Sequence, residues 1–158
     1  MSDSAGGTEA IGAKKRCFLT VTFFGHRNTP EGIRERLKNT LIELVEKEGA
    51  RSFYVGNEGA FDRLCQSVLR ELRKQYPLDI TVVFAYMPTK AQEMEGFASL
   101  FPEAAAIAPP RFAIERRNRW MASQSDLVVT YVITSYGGAA KAKRSMQRAG
   151  KRVIELSK

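Results

Sequence analysis

Histidine and cysteine are nearly absent from this sequence, which contains one histidine, His26, and two cysteines, Cys17 and Cys65. The cysteines lie far apart and form no CxxC pair. Structural transition-metal sites take closely spaced Cys and His ligands, so the sequence predicts no metal site. Unpaired cysteines in apolar segments are typical of buried thiols in a reducing compartment.

Long apolar runs are also missing, and no stretch approaches the roughly 18 residues that a membrane-spanning helix requires. Residues 1–15 are mostly small and polar and lack the apolar core of a signal peptide. We therefore expect a disordered N-terminal tail over residues 1–15, a single domain over residues 16–158, and a cytoplasmic protein with no membrane partner.

Acidic residues are scarce in the last third of the chain. Residues 111–158 contain 11 Lys and Arg against 3 Asp and Glu, whereas residues 1–110 contain 14 of each sign, so the whole net charge of +8 comes from the last third. A basic region favours an anionic partner, either a small ligand or a nucleic acid. A solvated basic face that aids solubility is the alternative.

Apolar runs alternate with amphipathic stretches along the rest of the chain. The pattern predicts strands over about 17–24, 52–55, 80–86, 126–133 and 152–156, and helices over about 30–48, 61–75, 111–124 and 139–148. This order predicts an α/β fold: a Rossmann-like three-layer domain with a mostly parallel sheet of about five strands and helices on both faces. The irregular stretch 89–110 is either a binding loop or lid, or a disordered insertion.

Glycine-bearing turns follow three of the predicted strands: Gly25-His26-Arg27, Gly56-Asn57-Glu58-Gly59 and Ser135-Tyr136-Gly137-Gly138-Ala139. In an open parallel sheet such turns meet outside the carboxyl ends of the strands, where ligands bind. Glycine allows a close backbone approach to phosphate, and helix N-termini present free N–H groups to it. The turns therefore predict a site for a phosphate-bearing small molecule.

The strongest candidate is the last turn, where the amides of Gly137, Gly138 and Ala139 would hold phosphate and Ser135 would add a hydroxyl. A tight turn packed against the sheet is the alternative. In the first turn, Gly25 permits close approach and the planar guanidinium of Arg27 would clamp phosphate. His26 has a structural role in our interpretation, with catalysis as the lesser alternative.

The second turn supplies Gly56, Asn57, Glu58 and Gly59 to the candidate site. Glu58 would hold a ribose or act as a base, and it is our weak candidate for a catalytic residue; an exposed acid on a turn is the alternative. Asp62, near the start of the next helix, either caps free N–H groups or accepts a hydrogen bond from ligand hydroxyls.

Helical geometry selects two further candidates from the stretch 111–124. Asn118 shares the apolar face of Ile114, and Arg117 lies on the flank of that face, whereas Arg116 and Arg119 point into solvent. A buried Asn must have partners, so a structural network is the alternative to ligand binding. At the end of the third strand, Tyr86 and Met87 would form an apolar wall for a base or pack in the core.

Together these segments resemble a known family. The motifs GHR, GNEGAFD, AYMP, PPRFAIERRNRWM, SDLVVTYV and YGGAAKA, spread over residues 17–157, are similar to those of uncharacterised bacterial and phage proteins related to YpsA. These belong to the SLOG superfamily of Rossmann-like nucleotide-binding domains, which includes the LOG phosphoribohydrolases and the DNA-processing protein DprA. The resemblance implies nucleotide binding, and the turn Gly56…Gly59…Asp62 is similar to one in the DprA-like branch.

The LOG pattern is matched only in part. Arg117-Asn118…Met121…Ser125-Asp126 and the pair Gly137-Gly138 resemble it. Tyr136 stands where LOG enzymes have a proline, and Arg144 stands where they have their catalytic glutamate. A cation cannot do the work of that carboxylate, so the resemblance supports nucleotide binding and does not extend to the LOG reaction.

These observations favour a binding module that holds a nucleotide or nucleotide-derived ligand at the strand ends and needs no further cofactor. A sensor is one form of such a module. A divergent nucleotide N-glycosidase using Glu58, or Glu115 as a weaker choice, is the first alternative. Nucleic-acid binding through the basic last third is the second. A homodimer remains open, because related folds often dimerise.

Overall fold

The computed structural model describes residues 18–88 and 97–158. The predicted tail 1–15, Cys17 and residues 89–96 of the predicted loop lie outside the described residues. The strands are β1 Leu19–Gly25, β2 Ala50–Val55, β3 Asp79–Val83, β4 Ala98–Leu100, β5 Leu127–Tyr131 and β6 Arg152–Glu155. The helices are α1 Arg34–Glu48, α2 Ala60–Leu72, α3 Glu103–Ala106, α4 Ala113–Ser123 and α5 Gly138–Arg148, and 3-10 turns precede α1 and α4.

The six strands form one sheet in the order β4-β3-β2-β1-β5-β6, and every neighbouring pair is parallel. The prediction of a Rossmann-like α/β domain with a parallel sheet is confirmed, with six strands rather than about five. The additional strand, β4, lies in the middle of the stretch 89–110, which was expected to be irregular. Its three residues are exposed and pair with β3 at the sheet edge.

Both faces of the sheet are covered, which explains why the strands are continuously apolar. Successive residues of a strand point to opposite faces. Phe23 packs in the larger core with α1 and α2, where its ring stacks on Phe53 at a centroid distance of 6.2 Å. Phe24 belongs to the opposite core, with Met121 of α4 and Met146 of α5. One β1 dipeptide thus contributes an aromatic ring to each core.

Helix α1 ends where the sequence predicts, whereas its start is formed by a turn rather than by a side-chain cap. Gly49 ends the helix in the left-handed conformation, with φ 74°, as glycine commonly does. Thr29, which precedes the helix, does not cap it, because its hydroxyl donates instead to the carbonyl of His26 at 2.7 Å. That bond closes the turn after β1, and the 3-10 turn Glu31–Ile33 leads into α1.

None of the helices within residues 18–88 and 97–158 combines the length and apolar character that a membrane span requires.

Candidate functional site

The site lies where the connections of the sheet change direction. From β1 the chain passes through α1 to β2 on one side, whereas β5, the other neighbour of β1, leads through α5 to β6 on the other side. The two connections diverge and leave a crevice outside the carboxyl ends of β1 and β5, the position at which open α/β sheets bind ligands. A cavity of about 290 Å³ occupies this crevice.

Eight of the thirteen candidate residues line the cavity: Gly25, Arg27, Glu58, Asp62, Arg117, Asn118, Gly138 and Ala139. They come from the turns after β1 and β2, from the first turns of α2 and α5, and from α4, so the fold gathers residues more than 110 positions apart in the sequence. Phe23, Phe24 and Ile114 add apolar surface, and His26 and Asn28 complete the lining.

Arg117 is a buried cation on α4, with 3% of its surface exposed. Its Nη1 donates to the carbonyl of Val83 at 3.0 Å and its Nε donates to Asn118 Oδ1 at 2.9 Å. Among the described residues its Nη2 has no hydrogen-bond partner, although the side chain lines the cavity. Burial lowers the pKa of Arg117, and the carboxylates of Asp62 and Glu58 oppose that shift. A buried guanidinium with a free donor in a cavity is suited to an anionic ligand.

Asp62 is the buried carboxyl that faces Arg117 across Gly56. Its Oδ2 accepts a hydrogen bond from the backbone N–H of Glu58 at 2.8 Å. A Cβ on Gly56 would lie 2.5 Å from both Asp62 Oδ2 and Arg117 Nη1, so these two atoms are at most about 5 Å apart. Burial raises the pKa of Asp62, and the charge of Arg117 opposes this rise. No described residue donates a hydrogen bond to its Oδ1.

Glu58 and Arg27 form the more open wall of the cavity. Arg27 Nη2 lies 3.7 Å from Glu58 Oε1, and the two side chains are 69% and 24% exposed. The long distance and the exposure of Arg27 make this a weak ion pair. Either side chain can therefore leave the ion pair at little cost in free energy.

The N-terminus of α5 presents backbone donors to the same cavity. Lys141 N–H is bonded to the carbonyl of Gly137, so the amides of Gly138 and Ala139 precede the first helical hydrogen bond. Free amides at this end of a helix, together with its dipole, form an anion site. The donors of α5 and Arg117 thus border a cavity whose other wall carries the acceptors of Asp62 and Glu58.

The glycines of the site fall into two groups. Gly59 and Gly137 have positive φ angles of 100° and 96°, and a Cβ on Gly25 or Gly56 would lie within 2.5 Å of a neighbouring side chain. These four are explained by the fold. Gly138 is different, because its φ is not positive and a Cβ there would meet nothing within 4 Å. The space in front of Gly138 belongs to the cavity.

His26 connects two of the turns around the cavity. Its Nε2 accepts a hydrogen bond from the backbone N–H of Ile133 at 2.9 Å, and its ring meets Tyr131 edge-on. The turn after β1 is therefore held against the segment after β5.

Five candidate residues do not line the cavity: Gly56, Asn57, Gly59, Ser135 and Gly137. The glycines shape the turns, as described above, and Asn57 accepts a hydrogen bond from Gln66 at 3.2 Å. Ser135 is exposed, and its carbonyl accepts from Arg144. Tyr86 and Met87 also lie outside the lining, because both side chains are exposed and Tyr86 donates to the carbonyl of Pro110.

Two residues that were not predicted from the sequence hold the turns in place. Gln66, buried on α2, donates to the carbonyl of Gly56 at 2.8 Å and so fixes the turn after β2. Glu155, at the end of β6, accepts from Lys143 at 2.7 Å, from Thr130 at 2.6 Å and from the amide of Val132 at 2.9 Å. A polar residue on a predicted buried face, as Gln66 is on α2, is the signal that could have identified the first.

We expect Glu155→Gln to lower the stability of the protein at neutral pH. Burial would raise the pKa of Glu155, but the bonds from Lys143, Thr130 and Val132 outweigh burial and hold it at about 2. A carboxyl whose pKa falls on folding stabilises the protein above its unfolded pKa, and this stability is lost as the pH falls toward 2. The expected loss is about 2 to 3 kcal/mol at pH 7.

Urea unfolding of the wild type and Glu155→Gln between pH 7 and pH 2.5 measures this difference. The two free energies of unfolding should converge as the pH falls below about 4.5. A difference that stays constant over this range would contradict the assignment.

No protein-family model matches this sequence, and a search of curated proteins finds no significant match. The function is therefore inferred from the geometry of the cavity. Within the described residues, no group of three or more His, Cys, Asp or Glu side chains could hold a metal ion.

Proposed function

We propose that this protein binds a nucleotide or nucleotide-derived ligand in the cavity at the carboxyl ends of β1 and β5. The observation that carries the proposal is the buried Arg117, whose free Nη2 donor borders a cavity that the N-terminus of α5 also enters. A buried cation needs anionic compensation, yet within the described residues the guanidinium of Arg117 donates hydrogen bonds only to the neutral carbonyl of Val83 and the neutral side chain of Asn118. A bound phosphate would complete the pairing.

The two walls of the cavity match the two polar parts of a nucleotide. The amides of Gly138 and Ala139, together with Arg117 and Arg27, would bind phosphate. Asp62 Oδ1 and the Glu58 carboxylate would accept hydrogen bonds from the ribose hydroxyls. The partly exposed apolar side chain of Ile114 would contact the base.

We also propose membership of the SLOG superfamily, on the motifs described above and the position of their residues around one cavity. The contacts of Arg144 support a departure from LOG chemistry. Its guanidinium donates to the carbonyl of Ser135 at 2.8 Å, so this residue braces the turn before α5. A binding or sensing role fits this arrangement better than the LOG reaction.

Gly138→Asp tests the proposal directly. The substitution leaves the backbone unstrained, since a Cβ meets nothing there, but it places a carboxylate where phosphate would bind. For the wild type, AMP at 100 times its Kd should stabilise the fold by about 2.7 kcal/mol, a rise in Tm of about 5–10 °C for a domain of this size. Gly138→Asp should lose this rise.

Gly32→Asp is the matched control, because Gly32 is also unstrained and uncrowded but lies in the 3-10 turn before α1, outside the cavity. It should keep the full response to AMP. If the wild type shows no response to AMP or related nucleotides, or if both variants lose it equally, the proposed site is wrong.

A nucleotide N-glycosidase is the second candidate, favoured by one observation: two carboxyl groups, Glu58 and Asp62, line the same cavity as the phosphate donors. Such an enzyme needs an acid beside the ribose. The incubations with AMP separate the two functions if they are also analysed for free adenine. Adenine released by the wild type and abolished by Glu58→Gln, with binding retained, would establish the enzyme.

A further inference from the structure

A second cavity lies between α4 and α5 and adjoins the first. Its volume is about 310 Å³, close to the 290 Å³ of the first, and Ile114, Asn118 and Gly138 line both. We call it the α4–α5 groove. Its other lining residues are Arg111, Glu115, Arg119, Ala122, Lys141, Ala142, Ser145 and Arg148. The two cavities therefore meet at the first turn of α5, where phosphate is proposed to bind.

The groove is strongly electropositive, with four basic side chains against one acid. Glu115 neutralises part of this charge, because its carboxylate lies 2.8 Å from Lys141 Nζ and 3.2 Å from Arg119 Nη2. Arg148 has no ion pair within the described residues. Arg111 stacks on the ring of Phe112 at 4.8 Å and pairs with no carboxylate of the described residues. Arg111 and Arg148 are therefore two groove cations that no described acid neutralises.

The lining of the groove combines this charge with small and apolar side chains. Ala122 and Ala142 leave space between the helices, and Ile114 adds apolar surface that the groove shares with the first cavity. An apolar floor with a cationic rim suits an organic group that carries phosphate. Because the groove is about as large as the first cavity, it has room for a unit of similar size.

From this geometry we infer that the ligand has two nucleotide-sized units joined through phosphate, with the second unit in the α4–α5 groove. The inference rests on the proposed nucleotide site. The linking phosphate would lie at the amides of Gly138 and Ala139, and the groove would take the second sugar and base. Such a ligand is either a free phosphodiester-linked dinucleotide or the end of a nucleic-acid strand.

The test compares AMP with the 5′-phosphorylated dinucleotide pApA by isothermal titration calorimetry. Linking two bound units raises affinity without any new type of contact, so pApA should bind the wild type about tenfold more tightly than AMP. Ser145→Trp places a large side chain in the groove from an exposed position of α5. It should bring the affinity for pApA to within about twofold of that for AMP and leave AMP unchanged.

Gln147→Trp is the control for the blocking variant, since Gln147 is exposed on the same helix but does not line the groove. It should retain the preference for pApA.

Three charge variants should change the affinity for pApA in the direction that the charge of the groove predicts. Arg148→Glu should weaken pApA about tenfold, Glu115→Gln should strengthen it by up to about fivefold, and Arg116→Glu, outside both cavities, should change it little.

The outcomes separate this inference from the proposed function. If AMP binds but pApA binds no more tightly, or if the Trp variants at 145 and 147 act alike, the groove is not a second subsite and the first site stands. If neither compound binds the wild type, both proposals fail. A 12-residue oligoadenylate distinguishes the two kinds of ligand. Steeply salt-dependent binding that is tighter than the binding of pApA would assign the groove to the end of a nucleic-acid strand. Binding equal to that of pApA would assign it to a free dinucleotide.

Discussion

Gly25→Ala should be strongly destabilising, by about 3 kcal/mol or more. A Cβ at this position would lie 2.2 Å from Cγ and 2.3 Å from Cδ2 of Phe61, well inside van der Waals contact. Phe61 is 1% exposed in the larger core, so its ring has no room to withdraw. Urea unfolding at 25 °C would measure the loss, and Gly32→Ala, where a Cβ meets nothing, should stay within about 1 kcal/mol of the wild type.

A double mutant determines whether this contact is the cause. Phe61→Ala alone should cost about 3–5 kcal/mol through the cavity that it leaves. In Gly25→Ala/Phe61→Ala the new methyl group enters part of that space, so the loss should be smaller than the sum of the single losses by at least about 1 kcal/mol. Additive losses would show that Gly25 is required for another reason.

The same contact illustrates which features the sequence could predict. The glycines after β1, β2 and β5 could be predicted to shape a ligand-binding edge, because glycine and strand position are local signals. The structural reason for a glycine differs from one position to the next, and it depends on contacts with residues that are distant in the sequence. Gly25 makes room for a ring on α2 and Gly56 for two charged groups, whereas Gly138 makes room for none of the described residues. Only the folded chain distinguishes packing from an open site.

Strands buried on both faces have a strong local signal, and the long apolar runs of β1 and β5 were readily predicted. Strand β4 has three exposed residues and pairs only with β3. A strand of three residues is too short to be predicted from a periodic pattern. The predicted sheet of about five strands therefore lacked β4. Arg117 was selected by helical geometry, because its angle places it beside the apolar face of α4. Glu155 could not be found this way, since its partners on α5 and β5 meet only in three dimensions.

The buried charges of the candidate site should show the largest coupling in the protein. Arg117→Met leaves the carbonyl of Val83 without its donor and Asp62 without a facing cation. Removing one member of a buried pair costs about 3–5 kcal/mol, whereas replacing both members is often nearly neutral. Asp62→Asn retains an acceptor for the amide of Glu58. We therefore expect Arg117→Met/Asp62→Asn to be more stable than the sum of the single losses predicts.

The pH dependence of Arg117→Met provides the more specific test. Burial already raises the pKa of Asp62, and Arg117 opposes that rise, so removing Arg117 should raise it further. A carboxyl whose folded pKa exceeds its unfolded pKa contributes stability that is fully present below the unfolded pKa and is lost as the pH rises through the folded pKa. The destabilisation by Arg117→Met should thus be smaller at pH 4 than at pH 7.

Urea unfolding of four proteins at both pH values completes the cycle: the wild type, the two single variants and the double variant. Asp62→Asn has no carboxyl to titrate, so the cost of adding Arg117→Met to it should be the same at pH 4 and pH 7. An unchanged cost at both pH values in the wild-type background would mean that Asp62 does not respond to Arg117. Such a result would mean that Asp62 does not compensate the buried charge of Arg117, and the pairing assigned to these two groups would be wrong.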